Sequence, residues 1–210
     1  MKTQEKIYKK TSNMKVKEKI DKDKLFFSSD SHFQHKMILE YCNRPYQDEY
    51  EMNEALIRNW NDVVPKDGVV FHAGDFAMTS NKEWIQSLVS KLNGKIYLCG
   101  GNHDFVNRFD REDVKRMFYA FDDMFYLTVE DDELETGHVN FQICHYPLLF
   151  WRRGYIMLHG HIHSGPLSTA SEIAPYHPMR VDIGVDAWNY KPVSYHELKV
   201  LLTKNMMRNG

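Results

Sequence analysis

The chain has 210 residues, enough for one sizeable core and too few for two comfortable domains. Hydrophobic residues make up 42% and charged residues 27%, which excludes global disorder. The formal net charge of -2 is uneven: residues 1–24 carry nine Lys against two Asp and two Glu, a local +5 that leaves -7 on the rest. An acidic body is a poor general nucleic-acid surface, because duplex binding rests mostly on phosphate neutralisation.

In chain order, residues 1–24 read as a basic, flexible segment outside the domain, whose removal is expected to leave catalysis nearly unchanged. No hydrophobic run follows that basic start, so it lacks the form of a secretory signal. No later apolar run approaches the roughly 18 residues of a membrane span. From Leu25 the texture changes. LFFSS (25–29) reads as a strand, and residues 49–64 read as a helix with Met52, Leu56, Trp60 and Val63 on one face. VVFHA (69–73) is the next strand. Residues 81–92 follow as a helix presenting Trp84, Leu88, Val89 and Leu92, with Ser80 and Glu83 in the pattern of a capping box.

KIYLC (95–99), FQIC (141–144), YIMLHG (155–160) and MRVDIGV (179–185) are further strands, and Ser194 with Glu197 opens a last helix. One domain, 25–204, with a C-terminal tail at 205–210, is the simplest organisation. Alternating strands and helices in the first half predict an α/β fold, and the strand-rich second half predicts partly antiparallel pairing. Cys42, Cys99 and Cys144 show neither a disulfide framework nor zinc-ligand spacing, which fits a reducing cytoplasm.

Five of these strands end in residues of metal-ligand type. They deliver Asp30-Ser31-His32, then Gly74-Asp75, then Gly100-Gly101-Asn102-His103-Asp104, then His145, then His159-Gly160-His161-Ile162-His163. Sites in open α/β sheets gather outside the carboxyl ends of the strands. In extended chain, residues two apart point the same way, so Asp30 with His32 and His161 with His163 are expected to reach one cavity as pairs.

Taken in order, D-x-H, G-D, G-N-H-D, an isolated H and G-H-x-H resemble the signature of calcineurin-like metallophosphoesterases. SSDSHFQHKMI (28–38), EYCNRPY (40–46), MNEALIRNWN (52–61), HYPLLFW (145–151) and VDIGVDAWNYKPVS (181–194) resemble the small bacterial and phage-type members. The resemblance implies a β-sandwich of mixed sheets flanked by helices, in four layers α/β/β/α. It implies that Asp30, His32 and His163 hold one metal ion, that Asn102, His145 and His161 hold a second, and that Asp75 bridges both. It places His103 facing the scissile phosphate, with Asp104 orienting it.

Two divalent cations balanced by Asp30, Asp75 and a bridging hydroxide retain a positive surplus that attracts phosphate. The neutral His and Asn ligands preserve it. Mixed N/O ligation suits Mn, Fe or Zn, with Mn favoured. The expected reaction is attack of a metal-bound hydroxide on a small phosphodiester or nucleotide derivative, with His103 stabilising the transition state. One alternative is a nuclease using the same site on DNA or RNA. Another is a non-catalytic scaffold of the same fold. The expected setting is cytoplasmic, with no membrane partner and the oligomeric state open.

Arg44, Arg152 and Arg153 are the cationic candidates for gripping phosphate oxygens, since a guanidinium binds them bidentately. His35 reads either as a helix-start surface residue or as a substrate contact. His72 and His159 read as core or supporting groups, and His138, His177 and His196 as surface residues. Trp151 and Trp188 read as core packing rather than as nucleobase platforms, and Asp182 and Asp186 as structural or supporting carboxylates.

Overall fold

In a computed structural model of the chain, which describes residues 14–164 and 177–208, two five-stranded sheets face each other across an apolar core. The first contains β2 (Leu25–Ser28), β3 (Val69–His72), β4 (Lys95–Cys99) and β5 (Ala120–Asp122) in parallel, with β10 (Val193–Ser194) antiparallel beside β2. The second runs β1 (Met14–Lys15), β6 (Met124–Glu130), β7 (His138–Cys144), β8 (Ile156–His159) and β9 (Arg180–Asp182). Only its β6–β7 pair is antiparallel. The expected mixed sandwich with flanking helices is the architecture found.

β2 is buried at every position, as a strand covered on both faces must be. Leu25 and Phe27 turn to the inter-sheet core, where Phe27 meets Phe141 at 5.2 Å between ring centroids. Phe26 turns to the helical side. There α2 (Glu49–Val63) buries Met52, Leu56 and Trp60, and α3 (Lys82–Lys91) buries Ile85 and Leu88. Asp48 caps α2 by accepting from Tyr50 N and Glu51 N. The cap of α3 is Asn81, accepting from Trp84 N, and not the expected Ser80. The Ser194–Glu197 capping box is present at α6 (Tyr195–Arg208), with Ser194 N donating to Glu197 Oε2 and Glu197 N to Ser194 Oγ. α6 thus continues past residue 204, and residues 209–210 lie outside the described residues.

The basic segment expected to lie apart is partly built into the fold. β1 pairs in parallel with β6, and Ile20 is buried in the inter-sheet core. Glu18 accepts a hydrogen bond from Tyr97, and Lys22 reaches the buried Asp131 at 2.8 Å. The β1–β6 pairing, the core contacts of Val16 and Ile20, and ion pairs from Lys19, Lys22 and Lys24 anchor residues 14–24. Residues 1–13 lie outside the described residues. No described helix is long and apolar enough to cross a membrane.

Candidate metal centre

The parallel strands end at one edge of the sandwich, and the candidate ligands follow just past those ends. The candidate pairs are not extended. Asp30, His32, Asp75, His161 and His163 have φ of 54°, 51°, 54°, 74° and 48°. The pairs therefore converge through left-handed turns beyond Ser28 and His159, not by strand alternation. Such a backbone costs about 1–3 kcal/mol per non-glycine residue and persists only where its surroundings hold it.

Two glycines let the turns close. A Cβ at Gly160 would overlap the Asp30 carboxylate and Ser29 Oγ, and one at Gly101 would overlap Asp75.

The structure brings all seven candidate ligands together. Donor atoms of Asp30, His32 and His163 lie within 4.8 Å of one another, as do those of Asp75, His145 and His161. Asp75 Oδ2 stands between the groups, 3.5 Å from His32 Nε2 and 3.4 Å from His145 Nε2. Asn102, at the start of α4 (Asn102–Val106), puts Oδ1 3.0 Å from His145 Nε2. His145 Nδ1 meets Ala73 O at 2.9 Å, which turns Nε2 inward. His161 N donates to both oxygens of Asp30.

These residues fit metal ions on two observations. His32 Nε2 is buried without a hydrogen-bond partner, an atom that a cation would satisfy. The carboxylates also draw positive charge. Burial pushes the Asp30 carboxyl up to about 6. Burial opposes charge on His145, yet Asp75 and Asp30 outweigh it and push the imidazole up to about 9. Burial opposes charge on His163 too, and Asp30 and Asp186 push it up to about 11.

His103 faces the same cavity about one third exposed, with Nε2 4.0 Å from Asp75 Oδ2. Asp104 does not orient it. That carboxylate is fully buried and accepts from Asp75 N, Phe76 N and Gly101 N, so it fixes the Asp75 turn instead.

Arg44 is corrected as well. It is buried and bidentate to Asp186, with Nε–Oδ1 and Nη2–Oδ2 both at 2.9 Å, and it donates to the carbonyls of Ser31 and Asp30. No part of its fork is left for a phosphate. Asp186 in turn meets His163 Nδ1 at 2.8 Å and turns Nε2 toward Asp30, 3.7 Å away.

His35 is buried rather than a surface residue, with Nδ1 3.0 Å from His32 Nδ1. Burial pushes it down to about 4. His72 is buried, 2.9 Å from Ser31 Oγ. Arg152 and Arg153 precede β8, at the opposite end of that strand from His161.

Residues 24–188 match the calcineurin-like phosphoesterase family. The chain belongs to that family of metal-dependent phosphoric ester hydrolases. Over 184 residues it is 32% identical to an uncharacterized protein of Methanocaldococcus jannaschii, covering 86% of this chain and 92% of that one. It is 30% identical over 186 residues to the gene 66 protein of Mycobacterium phage L5, covering 78% and 86%. A solved protein of unknown function from Aquifex aeolicus shares the fold, with a TM-score of 0.60 and 23% identity over 84% of this chain and 98% of that one.

Proposed function

We propose that the protein is a dinuclear phosphodiesterase acting on a small phosphodiester or nucleotide derivative. The observation that carries this reading is one carboxylate, Asp75, standing between two clusters of donors. Asp30, His32 and His163 would hold one ion, and Asn102, His145 and His161 the other, with Mn favoured over Fe or Zn. The ions, when bound, supply activation of water and charge neutralisation at the phosphoryl oxygens.

The chain's own residues then position and protonate. Asp104 holds the Asp75 backbone, and Asp186 holds His163. His103 Nε2 carries the proton that hydrogen-bonds a phosphoryl oxygen and passes to the leaving oxygen.

The test is hydrolysis of bis(p-nitrophenyl) phosphate, abolished by chelation and restored by Mn. No hydrolysis with any divalent metal would support the scaffold alternative. His103→Ala should retain both ions and lose about 10²–10⁴-fold in rate on substrates with poor leaving groups, and less on nitrophenyl esters. An equal loss for good and poor leaving groups rejects the proton transfer.

A further inference from the structure

His32 and His163, the two histidines proposed for the first ion, are backed by different groups. His163 Nδ1 meets the Asp186 carboxylate, which only accepts, so that nitrogen donates and Nε2 faces the cluster. Behind His32 stands an imidazole instead: its Nδ1 lies 3.0 Å from His35 Nδ1. On the other side, His32 Nε2 lies 3.5 Å from Asp75 Oδ2 and has no hydrogen-bond partner among the described residues.

Two facing ring nitrogens need one proton between them. Two protons there would collide, and none would set lone pair against lone pair. The spacing alone lets either ring donate. A cation decides the direction, because a nitrogen that binds one holds no proton. His32 with Nε2 on an ion therefore keeps its proton on Nδ1 and donates it, and His35 Nδ1 must accept.

His35 is fixed in place for this. It is 8% exposed. Its own N–H donates to His32 O, and the turn that carries it has Gln34 at φ 62°, with Gln34 N donating to Asn53 Oδ1 at 3.0 Å. Phe33, between the two histidines, is buried in the helical-side core. The His103 ring lies 5.5 Å from that of His35 and 5.1 Å from that of His32, so the three rings form one group.

We infer that His35 is a positioning residue for the first ion: it accepts the His32 Nδ1 proton and so presents His32 Nε2, unprotonated, to the metal. This role deepens the dinuclear reading and rests on it for the ion. A residue that only filled space would need its shape and not its lone pair. His35→Asn keeps an acceptor oxygen close to the place of Nδ1, whereas His35→Phe keeps a ring of similar size with no acceptor.

The experiment titrates Zn, which is diamagnetic, into the full chain against a competing chelator. His35→Phe should weaken one of the two ions about 10–100-fold, the usual loss when the group behind a ligating histidine is removed, and leave the other in place. His35→Asn should retain wild-type affinity. Long-range nitrogen–proton NMR spectra of the imidazole rings locate the proton in the Zn-loaded wild type without any variant. His32 should carry it on Nδ1 and His35 on Nε2.

Equal Zn affinity of wild type and His35→Phe overturns the inference. So does an equal loss in His35→Asn, which would assign the residue to packing. A His32 proton on Nε2 in the loaded wild type overturns it whatever the variants do, including a His35→Phe that fails to fold. A chain that takes up no divalent ion fails the dinuclear reading and this role together. Two ions held equally well with and without the acceptor at residue 35 fail this role alone.

Discussion

Arg44→Ala tests whether this arginine supports the centre or belongs to the surface. In the structure it is 4% exposed and makes two hydrogen bonds to Asp186 and two to main-chain carbonyls of the Asp30–His32 turn. Removing it strands the Asp186 carboxylate, whose side chain is 1% exposed, with only His163 as a charged neighbour. Breaking a buried pair from one side costs about 3–5 kcal/mol. That is a large share of the roughly 5–15 kcal/mol that holds a domain together. Equilibrium urea unfolding of the metal-free chain reads the loss directly. A cycle with Asp186→Ala and the double variant isolates the pair, and the double should cost less than the sum of the singles. A surface arginine contributes at most about 1 kcal/mol, so a loss of that size for Arg44→Ala would refute the buried-pair account.

Further outcomes follow from single sites. Asp75→Asn should weaken metal binding at both positions and His145→Ala chiefly at one, as measured by metal content after dialysis; full two-ion occupancy in Asp75→Asn would reject the bridge. Deleting residues 1–24 removes Ile20 from the core and Lys22 from Asp131, and should cost about 3 kcal/mol or more in urea unfolding. An unchanged midpoint would return those residues to the status of a tail. Burial pushes His72 down to about 3, so below the unfolded pKa of about 6.5 only the unfolded chain takes up that proton. Its contribution is therefore complete above about pH 6.5 and is lost at about 1.4 kcal/mol per pH unit as pH falls toward 3. His72→Gln should flatten the acid slope of stability by that amount, and an unaltered slope would show that His72 titrates normally.

The candidate ligands stand out in the sequence because each follows a short apolar run. The strand reads from its neighbours, and the polar residue at its end stands out. The antiparallel strand β6 was missed, although it pairs along its whole length with His138–Cys144. Phe125, Leu127 and Val129 alternate inward along it between Asp122-Asp123 and Asp131-Asp132, a strand pattern that went unread. Arg44 was misjudged for a different reason. Its partner lies 142 positions away, and no local spacing distinguishes an arginine that grips a phosphate from one that grips a distant aspartate. Asp104 sits beside His103 in sequence, yet its acceptors are spent on main-chain amides 28 and 29 residues off as well as on Gly101 N.

The two misread residues share a physical task. Five candidate ligands hold left-handed backbone, a strain of about 1–3 kcal/mol each that the isolated segments would relax. Asp104 ties the Asp75 turn from one side. Arg44 ties the carbonyls of Asp30 and Ser31 from the other. Asp30 N donates to Gly74 O and His32 N to Asp75 O, locking the two turns to each other. A conformation that needs such ties cannot be read from the strained residues themselves, because nothing local favours it. The information lies in buried charges that accept from, or donate to, the main chain of the candidate ligand turns. Loosening either tie should therefore disturb the spacing of Asp30, His32 and Asp75 together, rather than any one ligand alone.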